Sequence, residues 1–78
     1  MEFSIIIPVA PNRDAEVLNS LKNVDYPKEN YEIIVEKGTN PSINRDNGIK
    51  KSKFDKLIFL DDDAYIEDNF LNNIKSFF

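Results

Sequence analysis

The stretch Phe3-Ser4-Ile5-Ile6-Ile7-Pro8-Val9 decides the fold of this chain. Its apolar residues follow one another continuously, interrupted only by Ser4, instead of alternating with polar ones. A continuous run of this length is typical of a strand covered on both faces, as in parallel sheets with helices on either side. Pro8 stands near the end of the run, where the ladder of hydrogen bonds is expected to stop. The stretch therefore predicts a buried strand of an α/β fold.

Helix and strand patterns alternate through the rest of the chain. Apolar spacing predicts helices over residues 13–24 and 43–52 and a last helix capped by Asp68 or Asn69. Strands are predicted over residues 31–35 and 56–60, with a turn over 36–41 between the second strand and the second helix. The order β-α-β-α-β-α favours parallel strands joined by right-handed crossover helices. With the first strand in the centre, we expect a three-layer, Rossmann-like α/β domain with strand order 2-1-3.

Size and composition exclude several classes of function. With 78 residues the chain forms one domain, residues 1–78, and its charge of −4, from 14 acidic and 10 basic residues, gives no footprint for nucleic acid. The sequence has no Cys and no His, which excludes disulfides, thiolate or imidazole metal sites and Ser-His-Asp triads. No apolar run approaches the roughly 20 residues of a membrane span, and the start does not resemble a signal peptide. We therefore predict a cytoplasmic protein.

Three consecutive aspartates, Asp61, Asp62 and Asp63, follow the apolar run 57–60. They stand at the carboxyl end of the third strand, the edge where open α/β sheets bind their ligands. Asp61 and Asp63, two residues apart on extended backbone, are expected to point to the same side. Two hard carboxylates suit Mg²⁺ or Mn²⁺, which proteins hold with one or two carboxylates and substrate phosphates. We expect residues 9–12 to converge on this cluster and Glu36 to lie on the neighbouring rim.

Six short motifs occur together in one order. They are Ser4-Ile5-Ile6-Ile7-Pro8-Val9, Leu18-Asn19-Ser20-Leu21, Asp25-Tyr26-Pro27, Tyr31-Glu32-Ile33-Ile34-Val35, Arg45-Asp46-Asn47-Gly48 and Phe59-Leu60-Asp61-Asp62-Asp63. This series resembles the nucleotide-sugar-binding half of family 2 glycosyltransferases, which have the GT-A fold. The chain departs from the family pattern at Ala10-Pro11-Asn12, which has one extra residue, and at Glu36-Lys37-Gly38-Thr39, where the family usually has Asp followed by Asp or Asn before Gly-Ser.

The resemblance implies roles for individual residues. Asp61 and Asp63 correspond to the D-x-D motif that holds Mn²⁺ or Mg²⁺ against the diphosphate of a nucleotide sugar, such as a UDP-sugar. Glu36 stands at the position of a base-contacting aspartate, and Arg45 corresponds to an arginine near the nucleotide. The nucleotide-binding set implied in this way is Pro8, Val9, Glu36, Arg45, Asp61 and Asp62. No residue of the chain matches the family's catalytic base.

Fifteen residues follow Asp63, whereas a family 2 enzyme needs an acceptor-binding half after this motif. We therefore expect a glycosyltransferase-like domain that binds a nucleotide sugar without transferring the sugar by itself. The alternative is a non-catalytic α/β interaction module, because the last helix places Phe70, Leu71, Ile74, Phe77 and Phe78 on one face and ends on two aromatic residues. Such a module would form a homo-oligomer through this helix. A receiver-like phosphoacceptor domain would need an acidic pair after the first strand, where Val9-Ala10-Pro11 stands instead.

Overall fold

A computed structural model describes all 78 residues, and it contains one three-stranded parallel sheet. Strands β1, β2 and β3 cover Phe3–Val9, Tyr31–Lys37 and Lys56–Phe59, and helices α1, α2 and α3 cover Val17–Leu21, Pro41–Lys51 and Phe70–Ile74. Short 3₁₀ turns cover Lys28–Asn30 and Lys75–Phe77. The strand order is β2-β1-β3, so the predicted fold class and strand order are confirmed.

Strand β1 is the centre of the sheet and of the core. On one face, Phe3, Ile5, Ile7 and Val9 are completely or almost completely buried in a cluster that includes side chains of α1 and α3. On the other face, Ile6 lies beneath α2 and is equally buried. Helices on both faces explain why the sequence of β1 is continuously apolar.

Helix α2 begins two residues before the predicted start, and its first turn explains why. The side chain of Asn40 accepts hydrogen bonds from the backbone N–H groups of Ser42 (2.9 Å) and Ile43 (3.2 Å), and Pro41 occupies the first helical position. Both features are typical of helix starts. Further along, Gly48 lets the helix approach β1 closely, because a Cβ atom there would overlap Cγ2 of Ile6. Asn40 and Gly48 thus fix where α2 starts and how closely it packs on the sheet.

The predicted helix over residues 13–24 is wrong in its extent, because only Val17–Leu21 is α-helical. Residues 10–16 form a loop whose Arg13 N–H donates to the Ala10 carbonyl. The N–H of Val17 donates to the carbonyl of Asp62 at 2.9 Å, so the helix starts where it meets the loop after β3.

The other boundaries shift by a few residues. Strand β2 continues to Lys37, because its pairing with β1 persists to the Val9–Lys37 pair, so the turn starts at Gly38. Strand β3 ends at Phe59, one residue early, and α3 ends at Ile74 and tightens into a 3₁₀ turn. No helix in this fold combines the length and the apolar character needed to cross a membrane.

Ser4, the one polar residue inside the first apolar run, is completely buried and joins three segments. Its Oγ donates to Oε2 of Glu32 on β2 (2.6 Å) and accepts from the N–H of Phe54 (3.2 Å). The same Glu32 oxygen accepts from the N–H of Lys53 at 2.7 Å. These bonds satisfy a buried hydroxyl and hold the entry of β3 against the amino end of the sheet.

Candidate nucleotide and metal site

A cavity of about 280 Å³ lies at the carboxyl edge of the sheet. Residues from three chain segments line it. These segments are 8–13 at the end of β1 and beyond it, 38–45 after β2, and 61–63 after β3. This is the edge at which open α/β sheets bind ligands, since loops from neighbouring strands meet there. The convergence of residues 9–12 with the aspartates, expected from the strand order, is therefore observed through Val9 and Ala10.

Most residues of the predicted nucleotide-binding set reach this cavity. Pro8, Val9, Arg45, Asp61 and Asp62 all line it, and the second predicted metal ligand, Asp63, lines it as well. The set was assembled from residues up to 55 positions apart in sequence, from Pro8 to Asp63. The fold brings them to one place.

Glu36 is the exception, because it does not line the cavity. Its Oε2 lies 2.6 Å from Nζ of Lys51, near the end of α2, and its side chain is only 11% exposed. The backbone explains this: Glu36 pairs with Pro8 within the extended β2, on the face of the sheet that α2 covers. The predicted contact between Glu36 and a nucleobase stays a prediction, and in this structure its carboxylate is paired with Lys51.

The three aspartates do not lie on extended backbone, so that expectation is wrong. The N–H of Ala64 donates to the carbonyl of Asp61 at 3.2 Å, which closes a turn around Asp62 and Asp63. The strand has already ended, since Leu60 N–H makes the last bond to β1, at the carbonyl of Ile6. Asp61 and Asp63 thus share the cavity because of a turn and not because of strand alternation. We call residues 61–64 the aspartate turn.

Arg13 holds the aspartate turn from the opposite loop. Its Nε and Nη2 atoms donate to the two carboxylate oxygens of Asp62 at 2.7 and 3.1 Å, and Nη2 lies 3.8 Å from Oδ2 of Asp63. The Asp62 side chain is 12% exposed, whereas Asp63 and Arg13 are 64% and 53% exposed. The hydrogen bond to Asp62 and its negative charge raise the pKa of the Arg13 guanidinium, so this cation stays charged at any ordinary pH.

Arg13 is not among the site residues predicted from the sequence, because the sequence predicts only the start of a helix at this position. A signal for it existed, since Arg13 follows the first strand and the strand order places that loop opposite the third strand's carboxyl end. Its partner Asp62 is 49 positions away, so no local pattern reveals the pair.

Asn44 fixes the opposite wall of the cavity. This side chain is buried, and its Nδ2 donates to the carbonyls of Gly38 (3.1 Å) and, more weakly, Val9 (3.4 Å). It therefore joins the carboxyl ends of β1 and β2 to the first turn of α2. A Cβ atom at Gly38 would lie 2.5 Å from Oδ1 of Asn44, so a side chain there would displace the Asn44 amide. Arg45, the next residue, is positioned at the cavity by this arrangement.

The carboxylates of the aspartate turn fit a hard divalent cation only as part of a larger ligand set. Their oxygens are the donors that Mg²⁺ and Mn²⁺ prefer. Nowhere in the chain do three or more acidic side chains gather into a group that would hold a metal ion by themselves. The two predicted ligands, Asp61 and Asp63, therefore fit an ion whose remaining positions are filled by phosphate oxygens and water.

A larger hollow of about 390 Å³ lies beside this cavity, between α1 and the segment that follows the aspartate turn. Its lining includes Glu16, Asp63 and Asp68 and contains no Lys or Arg. An acidic lining without a cation repels a phosphate group. The smaller cavity at the strand ends, which has Arg13 and Arg45 in its lining, is therefore the better candidate for a phosphate-containing ligand.

The chain is a small α/β domain with a cavity lined by acidic and basic side chains at the carboxyl edge of its sheet. Comparison with known proteins adds a similarity to a poly(ribitol-phosphate) beta-glucosyltransferase of Bacillus spizizenii, at 40% identity over 65 residues. The match covers 78% of this chain and 10% of that protein, so the chain spans about a tenth of the relative's length. No protein-family model and no solved structure matches the chain. The chain is thus similar to a part of a glycosyltransferase.

Proposed function

We propose that this chain binds the diphosphate of a nucleotide sugar, together with Mg²⁺ or Mn²⁺, as the donor-binding part of a glycosyltransferase. One observation carries the proposal. Residues selected from sequence motifs, from Pro8 to Asp63, line a single cavity at the carboxyl edge of the sheet. The similarity to a part of a glucosyltransferase supports the same reaction class independently of the cavity. The donor would then be a sugar nucleotide, such as a UDP-sugar.

The charges around the cavity favour a diphosphate only in the presence of a divalent cation. Three carboxylates, those of the aspartate turn, face two guanidinium groups, Arg13 and Arg45, which leaves one net negative charge. A bare diphosphate would be repelled by this balance. A bound Mg²⁺ or Mn²⁺ would neutralise the phosphate oxygens and act as a Lewis acid. Asp61 and Asp63 would hold the ion, while Arg13 and Arg45 would orient the phosphates.

The size of the cavity agrees with binding part of a nucleotide sugar. Small-molecule sites usually measure roughly 300–1,000 Å³, and this cavity of about 280 Å³ lies just below that range. The segments that line it bring two arginines and three aspartates to the space, which suits the diphosphate portion best. Pro8, which is only partly buried, would contribute an apolar contact to the nucleoside beside it.

The test is a titration with uridine diphosphate, in the presence and absence of Mn²⁺, followed by calorimetry. We expect binding that requires the metal, together with paramagnetic broadening of amide NMR signals around the aspartate turn. The double variant Asp61→Asn with Asp63→Asn should lose the metal-dependent binding of uridine diphosphate, because both proposed metal ligands lose their charge.

A matched control is the double variant Glu29→Gln with Asp55→Asn. It changes the net charge equally, but its residues are exposed and precede β2 and β3 at the amino edge of the sheet. This variant should bind like the original protein. Binding that ignores Mn²⁺, or no binding at millimolar nucleotide, would count against the proposed function.

The non-catalytic alternative retains one favourable observation. Phe77 is 86% exposed although the sequence pattern places it on the apolar face of the last helix. Exposed aromatic side chains are enriched in protein interfaces. Self-association through this end of the chain is compatible with ligand binding in the cavity, because Phe77 does not line the cavity.

A further inference from the structure

We propose that Arg13 opposes binding of the divalent cation alone and favours binding of the metal–diphosphate complex, so that metal and diphosphate enter the site together. This inference rests on the proposed function and concerns a residue outside the predicted site. It assigns Arg13 two opposite effects on two ligands. If Arg13 only stabilised the loop, removing it would weaken the binding of both ligands.

The first effect follows from the position of the guanidinium relative to the metal ligands. Nη2 of Arg13 lies 3.8 Å from Oδ2 of Asp63, and the same group is bonded through two atoms to Asp62. A cation held by Asp61 and Asp63 would therefore stand within a few ångströms of a positive charge. Repulsion at such distances, even in a watery environment, amounts to about a factor of five per unit of charge, so a divalent ion bound alone is disfavoured up to about thirtyfold.

The second effect follows from the donors that Arg13 has left. Of its five N–H groups, one on Nε and one on Nη2 are used by Asp62, and Nη1 has no hydrogen-bond partner in the structure. The side chain is 53% exposed and lines the cavity. Arginine binds phosphate oxygens through such paired N–H groups. The pair with Asp62 holds the guanidinium at the cavity in advance, which reduces the entropy lost on binding.

The experiment compares the original protein with Arg13→Gln and Arg13→Lys, using two probes. Mn²⁺ alone is followed by water-proton relaxation, and inorganic pyrophosphate with excess Mn²⁺ is followed by calorimetry. Arg13→Gln should bind Mn²⁺ alone up to about thirtyfold more tightly and the Mn²⁺–pyrophosphate complex at least fivefold more weakly. Arg13→Lys keeps the charge and should stay within about twofold for Mn²⁺ alone, because a lysine repels the ion as a point charge.

Salt and a remote charge provide the controls. Raising the salt from about 0.05 to 0.5 M should shrink the effect of Arg13→Gln on Mn²⁺, since exposed charges are screened. Lys28→Gln, at the amino edge of the sheet, removes the same charge far from the cavity and should change neither affinity. Unfolding curves of Arg13→Gln check that this variant is folded before its affinities are compared.

Two failures can be told apart. If the original protein binds neither uridine diphosphate nor pyrophosphate in the presence of Mn²⁺, the proposed function fails, and this inference fails with it. If the original protein binds both, but Arg13→Gln leaves both affinities unchanged or weakens both, Arg13 has only a structural role and the inference alone is overturned. Equal behaviour of Arg13→Lys and Arg13→Gln towards Mn²⁺ would overturn it as well, since charge would not be the cause.

Discussion

Replacing Gly48 by alanine tests how closely α2 must pack on the sheet. An added Cβ would overlap Cγ2 of Ile6 and would lie 3.3 and 3.4 Å from its Cγ1 and Cβ atoms. Ile6 is completely buried in the central strand, so it cannot turn away. In an exposed helix, Gly→Ala would stabilise by about 1 kcal/mol. Overpacking a well-filled core costs about 1–3 kcal/mol, so the contact with Ile6 decides the sign.

We expect Gly48→Ala to lower the free energy of unfolding by about 1–2 kcal/mol. A chain of 78 residues has a stability of roughly 4–12 kcal/mol, so the loss is large. The midpoint of thermal unfolding should fall by about 5–15 °C. Urea unfolding followed by far-ultraviolet circular dichroism measures the change, since the chain has no Trp for fluorescence. An unchanged or higher stability would show that α2 does not approach β1 as closely as described.

A double-mutant cycle isolates the contact. Ile6→Leu removes the Cγ2 methyl group at nearly constant volume, at a cost below about 1.5 kcal/mol. In that background Gly48→Ala should be neutral or stabilising, because the overlap with Cγ2 is gone. The two substitutions should therefore couple by at least about 1 kcal/mol. As a control, Lys50→Ala on the exposed side of α2 should change stability by less than about 0.5 kcal/mol. Additive effects in the cycle would contradict the packing argument.

Two other predictions concern the ends of the sheet. Ser4→Ala leaves the N–H of Phe54 without its partner and removes one of the two hydrogen bonds to Oε2 of Glu32, and we expect a loss of about 1–3 kcal/mol in urea unfolding; a loss below about 0.5 kcal/mol would mean that water replaces the hydroxyl. If the chain self-associates through its C-terminal end, Phe77→Asp with Phe78→Asp should convert the oligomer to monomer in sedimentation experiments at several concentrations. A monomer in the original protein would eliminate that alternative.

Much of the fold could be predicted from the sequence because the strands are defined by their own apolar residues. The bounds of β1 are those of the apolar run 3–9, and the alternation of elements led to the observed strand order. The extent of α1 could not be predicted in this way. The residues Val17, Leu21 and Val24 have helical spacing, and all three are buried. The start of the helix, however, depends on the bond from the Val17 N–H to the distant Asp62 carbonyl and on the loop that turns at Ala10, and apolar spacing reveals neither.

The candidate site was predictable in its composition but not in its detailed geometry. The aspartates were placed at the correct edge because they follow a strand, and the strand order brought Pro8 and Val9 beside them. Their turn was not foreseen, since the bond from Ala64 to Asp61 forms only after the ladder has ended at Leu60. The ion pair of Arg13 with Asp62 depends on tertiary contact across 49 positions, and the pairing of Glu36 with Lys51 has the same origin.

The aspartate turn connects these observations with the chemistry. Two residues hold Asp62 in place: the N–H of Val17, at the start of α1, donates to the Asp62 carbonyl, and the Arg13 guanidinium donates two hydrogen bonds to the Asp62 carboxylate. Asp62 is therefore anchored, while the side chains of Asp61 and Asp63 remain exposed on either side of it. A turn held at its centre, with exposed carboxylates at its flanks, would offer them to the proposed ion without rebuilding the backbone. If Asp62→Asn weakens metal–nucleotide binding as strongly as Asp61→Asn, Asp62 acts as a ligand, and the division between anchor and ligands is incorrect.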